Sequence, residues 1–526
     1  MKTAQRRVAA STMTQRTSVA MTTVTDEALR GHLLRDDGQE DLCLATYQPS
    51  TGLRRRTALL GRVHLPEPGD RDVHGNASIS GDYMWRVAAH AAGRGEGVVM
   101  LHSHPGARGW QHMSGPDHDA ESAFANLVRE MTGLSLVGMT LAGRDGTWSA
   151  RHWDHGLGGD VAYTGCENVR VVGEHLRVFW DDARAPPPRS APTNVRSVTS
   201  WGSLRHADLA RRSVLVVGLG SVGLDVAVRL AATGLTRIGL MDFDTVEVHN
   251  LDRLIGATAI DAWLRRSKIE LARRLVTDNA TSPTIAVDAW DLSVCEPEGL
   301  TVALDFDEII CAVDRPWPRA VLNLLAYGDY IPVIDGGIAI DTFDDGTGMR
   351  NATWRSHVLR PGRPCMGCNG QLDLGAVAAD RSGALDDPAY ITGRDGHSAG
   401  PEPQYTSANV AVLSISAAAS LLAQYVSLNV APGGLGEPGP LQYLLSSHTL
   451  EHLDVTSRPA CPVEAECGRG DTATRLTGPH PAADAERRRH DARRVGVGVR
   501  ALRVIDDARC RLRTRRIRRA LRRLHS

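Results

Sequence analysis

Three groups of residues in this 526-residue chain have types and spacings suited to chemistry. The first is His102-Ser103-His104, followed by Ser114 and Asp117. Imidazoles at i and i+2 on the end of a strand share one side, so with a carboxylate from a following helix start they can grip one divalent metal. Three protein ligands leave a fourth position for water, whose pKa such a metal lowers toward ~7. The second group begins at Gly218-Leu219-Gly220-Ser221-Val222-Gly223, between a β-branched run (214–217) and an amphipathic segment ending at Leu230. Glycines there let the backbone approach phosphate, and a helix N-terminus turns its amide N–H groups toward it. Asp242 and Asp244 follow a second apolar run, then come Asn250-Leu251-Asp252-Arg253, Lys268 and, at the end of another apolar strand, Asp314. The third group is Cys365-Met366-Gly367-Cys368 with Cys461 and Cys467 far downstream, four thiols able to close a structural zinc site. The bland alternatives are polar loop histidines, a glycine turn that signals only "nucleotide", and loose surface thiols.

The second group resembles the adenylating domain of the ThiF/MoeB family, which includes the ubiquitin-activating enzymes. The resemblance rests on Asp242-Phe243-Asp244-Thr245-Val246-Glu247 and Asn250-Leu251-Asp252-Arg253; the Gln that usually follows this Arg is Leu254 here. It implies a Rossmann-like fold that binds ATP and Mg²⁺. Gly218, Gly220 and Gly223 would admit the phosphates, Asp242 would hold the ribose, and Asn250, Arg253 and Lys268 would contact phosphates, the last two with a part in catalysis. Asp314 would hold Mg²⁺. Lys268 stands out because the chain has only two lysines, Lys2 and Lys268, against 58 arginines, and Arg's planar fork does not replace a compact ammonium. The resemblance further implies a homodimer and an Arg supplied by the partner subunit's N-terminal helix, with Arg196 and Arg205 as counterparts. Family members commonly carry a zinc on two CxxC pairs, whereas here the second pair reads CPVEAEC. The catalytic Cys of ubiquitin-activating relatives has no counterpart between Cys368 and Cys461.

The first group resembles the JAMM (MPN-plus, JAB) metallopeptidase signature, H-S/T-H-P followed by S-x-x-D, of deubiquitinating isopeptidases and their bacterial relatives. Nine residues separate His104 from Ser114, two more than in the common eukaryotic form. The implied domain is α/β with a cytidine-deaminase-like sheet. His102, His104 and Asp117 would bind Zn²⁺, Ser114 would stabilise the oxyanion, and an upstream Glu would be the general base, Glu40 before Glu67.

The elements that must position these groups suggest an α/β multidomain chain. Residues 1–25, basic and rich in Ser and Thr, read as a disordered leader; 26–160 as the JAB/MPN-like domain; 161–195 as a connector with a Pro-rich linker. Residues 196–470 read as the adenylation domain with a candidate four-cysteine zinc site, and 471–526 as a basic tail. Helices are expected over 28–34, 83–92 and 409–428, and strands over 97–101, 134–141 and 148–153. The tail from Arg487 carries sixteen Arg and three Asp; Ile517, Leu521 and Leu524 fall at i, i+4 and i+7, an amphipathic pattern whose partner the sequence does not identify. No apolar run approaches the ~20 residues of a membrane span. Nine cysteines in so long a chain are not a disulfide framework, which points to a reducing, cytoplasmic setting.

Together the two resemblances imply a bacterial fusion of a zinc isopeptidase with an adenylyltransferase acting on the C-terminal glycine of a ubiquitin-like or ThiS-like small protein. A conjugating-enzyme-like or a sulfur-donor partner would then receive the acyl group. The alternatives are sulfur-carrier activation for cofactor or natural-product sulfur transfer, and a non-catalytic nucleotide-binding scaffold. An NAD oxidoreductase ranks last, because Asn250, Arg253 and Asp314 have no role there.

Overall fold

The computed structural model describes residues 15–74, 76–155, 161–189, 192–343, 347–386 and 409–493, with scattered positions between 504 and 519. The chain divides into two compact units. The first comprises the described residues of Met1–Val171 with Val178–Ala185 and Gly468–Thr472, and the second those of Val172–Arg177, Pro186–Cys467 and Ala473–Ser526.

The strands of the first sheet are β1 (Arg16–Thr22), β2 (Leu42–Thr51), β3 (Arg55–His64), β6 (Gly97–His104), β7 (Leu136–Ala142), β8 (Trp148–His155), β9 (Val161–Gly165), β10 (Asn168–Val172) and β11 (Arg177–Trp180); β4 (Arg71–His74) and β5 (Asn76–Ile79) form a separate hairpin. The sheet runs β11-β10-β1-β3-β2-β6-β7-β8-β9. Side chains alternate across it as the pleat requires. Cys43, Ala45, Val99 and Leu101 join Leu29 and Leu33 of α1 (Thr23–Leu33) in one core. Leu42, Leu44, Val98 and Met100 join a second core with Met84 of α2 (Gly81–Ala92) and Val128 of α3 (Gly115–Thr132). Continuing the alternation along β6 brings His102 and His104 to the face that carries α3.

The second unit is built on β12 (Ser213–Val217), β13 (Arg237–Met241), β14 (Ala286–Trp290), β15 (Glu308–Cys311), β16 (Val333–Thr342), β17 (Met349–Leu359), β18 (Leu441–Leu444) and β19 (Thr449–His452), in the order β14-β13-β12-β15-β16-β17-β18-β19. The first five are parallel and the rest antiparallel. Strand order reverses between β12 and β15, so a crevice opens beyond their carboxyl ends, where open α/β sheets bind ligands. Its helices are α4 (Val195–Trp201), α5 (Ser203–Arg211), α6 (Ser221–Ala232), α7 (Ala259–Trp263), α8 (Lys268–Asn279), α9 (Pro297–Ala303), α10 (Pro316–Gly328), α11 (Leu374–Arg381), α12 (Ala411–Val430) and α13 (Pro481–Arg493). Both units are α/β, and the second is Rossmann-like.

Four sequence expectations need correction. Residues 161–180 are no connector, because β9, β10 and β11 are strands of the first sheet. Residues 16–25 are no disordered leader: β1 lies inside the sheet, parallel to β3, with Val19, Ala20 and Met21 fully buried. Its hydroxyls are satisfied there, Ser18 Oγ lying 2.9 Å from Thr57 Oγ1, so a Ser/Thr-rich composition is compatible with burial. Residues 471–493 are no separate tail. Asp471 accepts hydrogen bonds from Thr51 N–H at 2.8 Å and Thr51 Oγ at 2.6 Å in the first unit, and α13 packs within the second. Finally, α12 is long and apolar enough to cross a membrane by length and composition, yet half of it is buried against α6, β16 and β17. Of the tail, Asp507 pairs with Arg266 at 3.4 Å and Arg513 with Asp278 at 3.1 Å. Ile517, Leu521 and Leu524 lie outside the described residues.

Candidate functional site

The glycines after β12 divide the work of making a tight strand-to-helix turn. Gly218 has φ +86°, and a Cβ there would sit 2.7 Å from the Ala312 carbonyl oxygen; one on Gly223 would sit 1.9 Å from the Gly218 carbonyl oxygen. Both are demanded by close backbone approach. Gly220 differs, because a Cβ there would meet nothing within 4 Å and would project into open space. Gly220 also precedes the first turn of α6 with no side-chain cap, so the amide groups of that turn remain available to a ligand.

Asp242, at the end of β13, holds this turn in place. Its Oδ2 accepts from Leu219 N–H at 2.6 Å and its Oδ1 from Asp244 N–H at 2.7 Å. Burial pushes its carboxyl up to about 6, with Lys268 opposing that rise and Asp244 adding to it. Lys268 begins α8, and its Nζ donates to Asp244 Oδ2 at 2.7 Å. Burial works against that ammonium, but Asp244, Asp242 and Asp314 outweigh it and hold the pKa above the ordinary lysine value. Asn250 is buried, with Oδ1 accepting Glu247 N–H at 3.0 Å, and Arg253 donates to the His249 carbonyl at 2.6 Å and to Asp252 at 2.9 Å. Asp314, just past β15, is exposed.

Gly218, Gly220, Asp242, Asn250, Arg253, Lys268 and Asp314 all line one cavity of about 980 Å³. Gly223 is not among its lining residues; it acts one layer behind, by letting Gly218 approach α6. Cations, an open glycine cradle and an exposed carboxylate on one wall fit a nucleoside triphosphate with a divalent cation. Arg196 is exposed on α4 and Arg205 donates to the Val430 carbonyl; neither lines the cavity.

In the first unit, register sets the metal-type cluster. Leu42 pairs with His102 and Thr140 pairs with His102 from the other side, fixing the end of β6 between two strands. Ser114 caps α3: its Oγ accepts Asp117 N–H at 3.3 Å while Asp117 Oδ2 accepts Ser114 N–H at 2.9 Å, a reciprocal capping box. Asp117 is thereby turned toward the histidines, 3.4 Å from His102 Nε2 and 3.6 Å from His104 Nε2, with the two Nε2 atoms 3.2 Å apart. Burial opposes the Asp117 carboxylate, but bonding to His102 and His104 overrides it and holds the group far below the usual carboxylate range. Glu40 Oε1 lies 4.0 Å from His104 Nε2. Its neighbour Asp41 is buried and clamped by Arg71 at 2.6 and 2.8 Å, which fixes the turn that presents Glu40.

The thiols of Cys365, Cys368 and Cys461 lie within 4.8 Å of one another, with Cys365 Sγ and Cys461 Sγ 3.6 Å apart. Cys467 packs against the same core but stands outside this mutually close trio, so the geometry brings together three of the four expected ligands.

The family model described as "ThiF family" matches residues 193–462, half of the chain. The chain belongs to the ThiF family. Among its relatives, the molybdopterin-synthase adenylyltransferase of Escherichia coli K12 is 29% identical over 140 residues, covering 25% of this chain and 55% of that one. The sulfur carrier protein adenylyltransferase of Thermus thermophilus is 30% identical over 130 residues, 25% of this chain and 46% of that one. The chain thus spans about half the length of these curated relatives. A crystal structure of E. coli MccB with ATP aligns with 52% of this chain and 74% of that one, at 18% identity and TM-score 0.39.

Sequence reasoning missed that this ThiF chain lines its cavity from α13 as well, through Pro481, Ala482, Ala485, Glu486 and Arg489, preceded by His480. The signal was faint. Ala483, Glu486 and His490 recur at helical spacing and are buried, but two of the three are polar, and the surrounding arginines hide the stripe.

Proposed function

We propose that this ThiF chain adenylates the C-terminal glycine of a small ubiquitin-like or ThiS-like protein. The observation that carries the reading is the convergence of the glycine turn, Asn250, Arg253, Lys268 and Asp314 on one cavity. In-line attack of a carboxylate on the α-phosphate, with release of pyrophosphate, needs positioning and charge neutralisation more than a side-chain nucleophile. Gly220 and the first turn of α6 receive the phosphates, while Gly218 and Gly223 give that turn its shape. Asp242 steadies the turn and faces the ribose. Lys268, kept cationic by its acidic neighbours, neutralises developing charge together with Arg253 and Asn250. Asp314 is the residue that would hold Mg²⁺, which supplies further charge neutralisation when bound. The relatives' names, adenylyltransferases of molybdopterin synthase and of a sulfur carrier, support the same reaction class.

The first unit is read as a zinc peptidase domain of the JAB/MPN type that trims or removes the same modifier. His102, His104 and Asp117 would hold Zn²⁺, which supplies an activated water when bound; Glu40 stands by to move a proton, and Ser114 lies at the rim. Support comes from three ligand atoms within 4.8 Å of one another and Glu40 within 4.0 Å of His104. Cys365, Cys368 and Cys461 would hold a structural zinc, with Cys467 the candidate fourth ligand. Unbridged thiols suit a reducing, cytoplasmic setting, and a homodimer follows from the family resemblance.

A second reading, sulfur-carrier activation, keeps the adenylation step and passes the acyl group to a sulfur donor instead of a conjugating-enzyme-like partner. The lack of a cysteine between Cys368 and Cys461 favours it. The test is hydroxylamine trapping of the activated carrier, followed by intact mass. Hydroxamate at the terminal glycine that requires MgATP and Lys268 supports adenylation; a carrier left unmodified by wild type contradicts it.

A further inference from the structure

The nucleotide cavity is closed on one side by a segment far from the family signature. His480 Nδ1 lies 2.8 Å from Ser293 Oγ, and its ring packs edge-on against Phe243 at 5.1 Å. One turn into α13, Ala483 is fully buried. Glu486 then accepts from Thr245 Oγ1 at 2.6 Å and pairs with Arg265 at 3.3 Å, and Arg487 pairs with Glu296. These contacts fix the helix from the residue before its start to its second turn. Thr245 directly follows Asp244, the partner of Lys268, so α13 is fastened beside the cationic end of the cavity.

Arg489 lies three residues beyond Glu486, on the same helical face, and lines the cavity. Its side chain is 68% exposed and touches Glu486 at 3.2 Å, an ion pair worth little in that setting. The other cavity arginines past β15 are committed: Arg315 is clamped to Asp380 at 2.7 Å and Arg319 to the buried Asp335. Arg489 therefore sits on the cavity wall with planar donors that an incoming phosphate can engage more strongly than Glu486 does.

We infer that α13 is a wall of the nucleotide site and that Arg489 is a phosphate contact supplied by the chain's own C-terminal helix. The inference rests on the adenylation reading of the cavity. It assigns to the same chain a cation that neither Arg196 nor Arg205 brings to the site.

The test is calorimetric titration of the full chain with MgATP and, separately, with adenosine. Arg489→Ala is expected to weaken MgATP about tenfold, the scale of one charge-assisted hydrogen bond, and to leave adenosine unchanged. Arg489→Lys should recover part of the loss, and Arg488→Ala, at an exposed neighbour that does not line the cavity, should bind both ligands like wild type. Equal MgATP affinity in Arg489→Ala and wild type overturns the inference, as does an equal loss for adenosine, which would mark a structural role. Wild type that binds no MgATP removes the adenylation reading as well; wild type that binds it while Arg489→Ala is indistinguishable removes the inference alone.

Discussion

Lys268 Nζ donates to Asp244 Oδ2 at 2.7 Å, joining the first residue of α8 to the loop that follows β13. The only described lysine of the chain is thus held among Asp242, Asp244 and Asp314, where an ammonium is favoured over its neutral form. The hydrogen bond to Asp244 holds the ammonium at the cavity wall.

Lys268→Ala is expected to lower pyrophosphate exchange by about 10²–10³, the usual cost of removing one preorganised charge from a transition state. Lys268→Arg should not rescue it, because a delocalised planar guanidinium does not reproduce a compact point charge on a flexible stem. Steady-state exchange rates at saturating ATP check this; a loss of only a few-fold in Lys268→Ala would remove the assigned role.

The glycines separate fold from binding. Gly223→Ala forces a Cβ to within 1.9 Å of the Gly218 carbonyl oxygen and should destabilise the second unit by about 3 kcal/mol or more. Gly220→Ala meets no protein atom within 4 Å, so it should leave the melting temperature within a few degrees of wild type while weakening nucleotide binding. Differential scanning fluorimetry with and without MgATP distinguishes the two. Equal melting temperatures in both variants would contradict the division of labour.

Acid stability has a named contributor in the second unit. His357 is buried with neither ring nitrogen hydrogen-bonded, and desolvation pushes its pKa down to about 4 despite Asp335 3.8 Å away. A folded pKa below the unfolded value of about 6.5 means that the unfolded chain takes up the proton first. The contribution is complete above about pH 6.5 and is lost as pH falls toward 4, amounting to about 3 kcal/mol. His357→Phe should flatten that part of the denaturation profile; an unchanged slope between pH 6.5 and 4 would show that His357 is not its source.

Metal analysis of protein purified with zinc should give two ions per chain. His102→Ala/His104→Ala should lose one without a large change in melting temperature, because the site lies at a strand end. Cys365→Ser should lose the other and lower the melting temperature, since its thiol is buried in the core of the second unit. Retention of two zinc ions in either variant would overturn the corresponding assignment.

What the sequence revealed was what local pattern encodes. The β12–α6–β13 unit was legible because its glycines, apolar runs and terminal acid are close neighbours in the chain. The cluster of His102, His104 and Asp117 was legible because i, i+2 on a strand and S-x-x-D at a helix start each fix a geometry within a few residues. Long-range decisions were hidden. Nothing in residues 16–22 announces that β3 will accept them as a parallel neighbour, and nothing in 468–472 announces Asp471 bonding to Thr51. Asp242 carries a duty that the signature does not reveal, holding Leu219 N–H and Asp244 N–H and so shaping the glycine turn. Glu486 reaches Thr245 across more than two hundred residues, and its charged surroundings resemble a solvated tail.

Carrier adenylation is decided by ATP–pyrophosphate exchange with a glycine-terminated carrier protein, comparing wild type with Asp314→Ala. Asp314 is exposed on the cavity wall, so the variant should fold like wild type. Carrier-dependent exchange is expected in wild type, falling by at least about 10²-fold in Asp314→Ala. Exchange that survives the substitution, or none in wild type with a processed carrier, would contradict adenylation at this cavity.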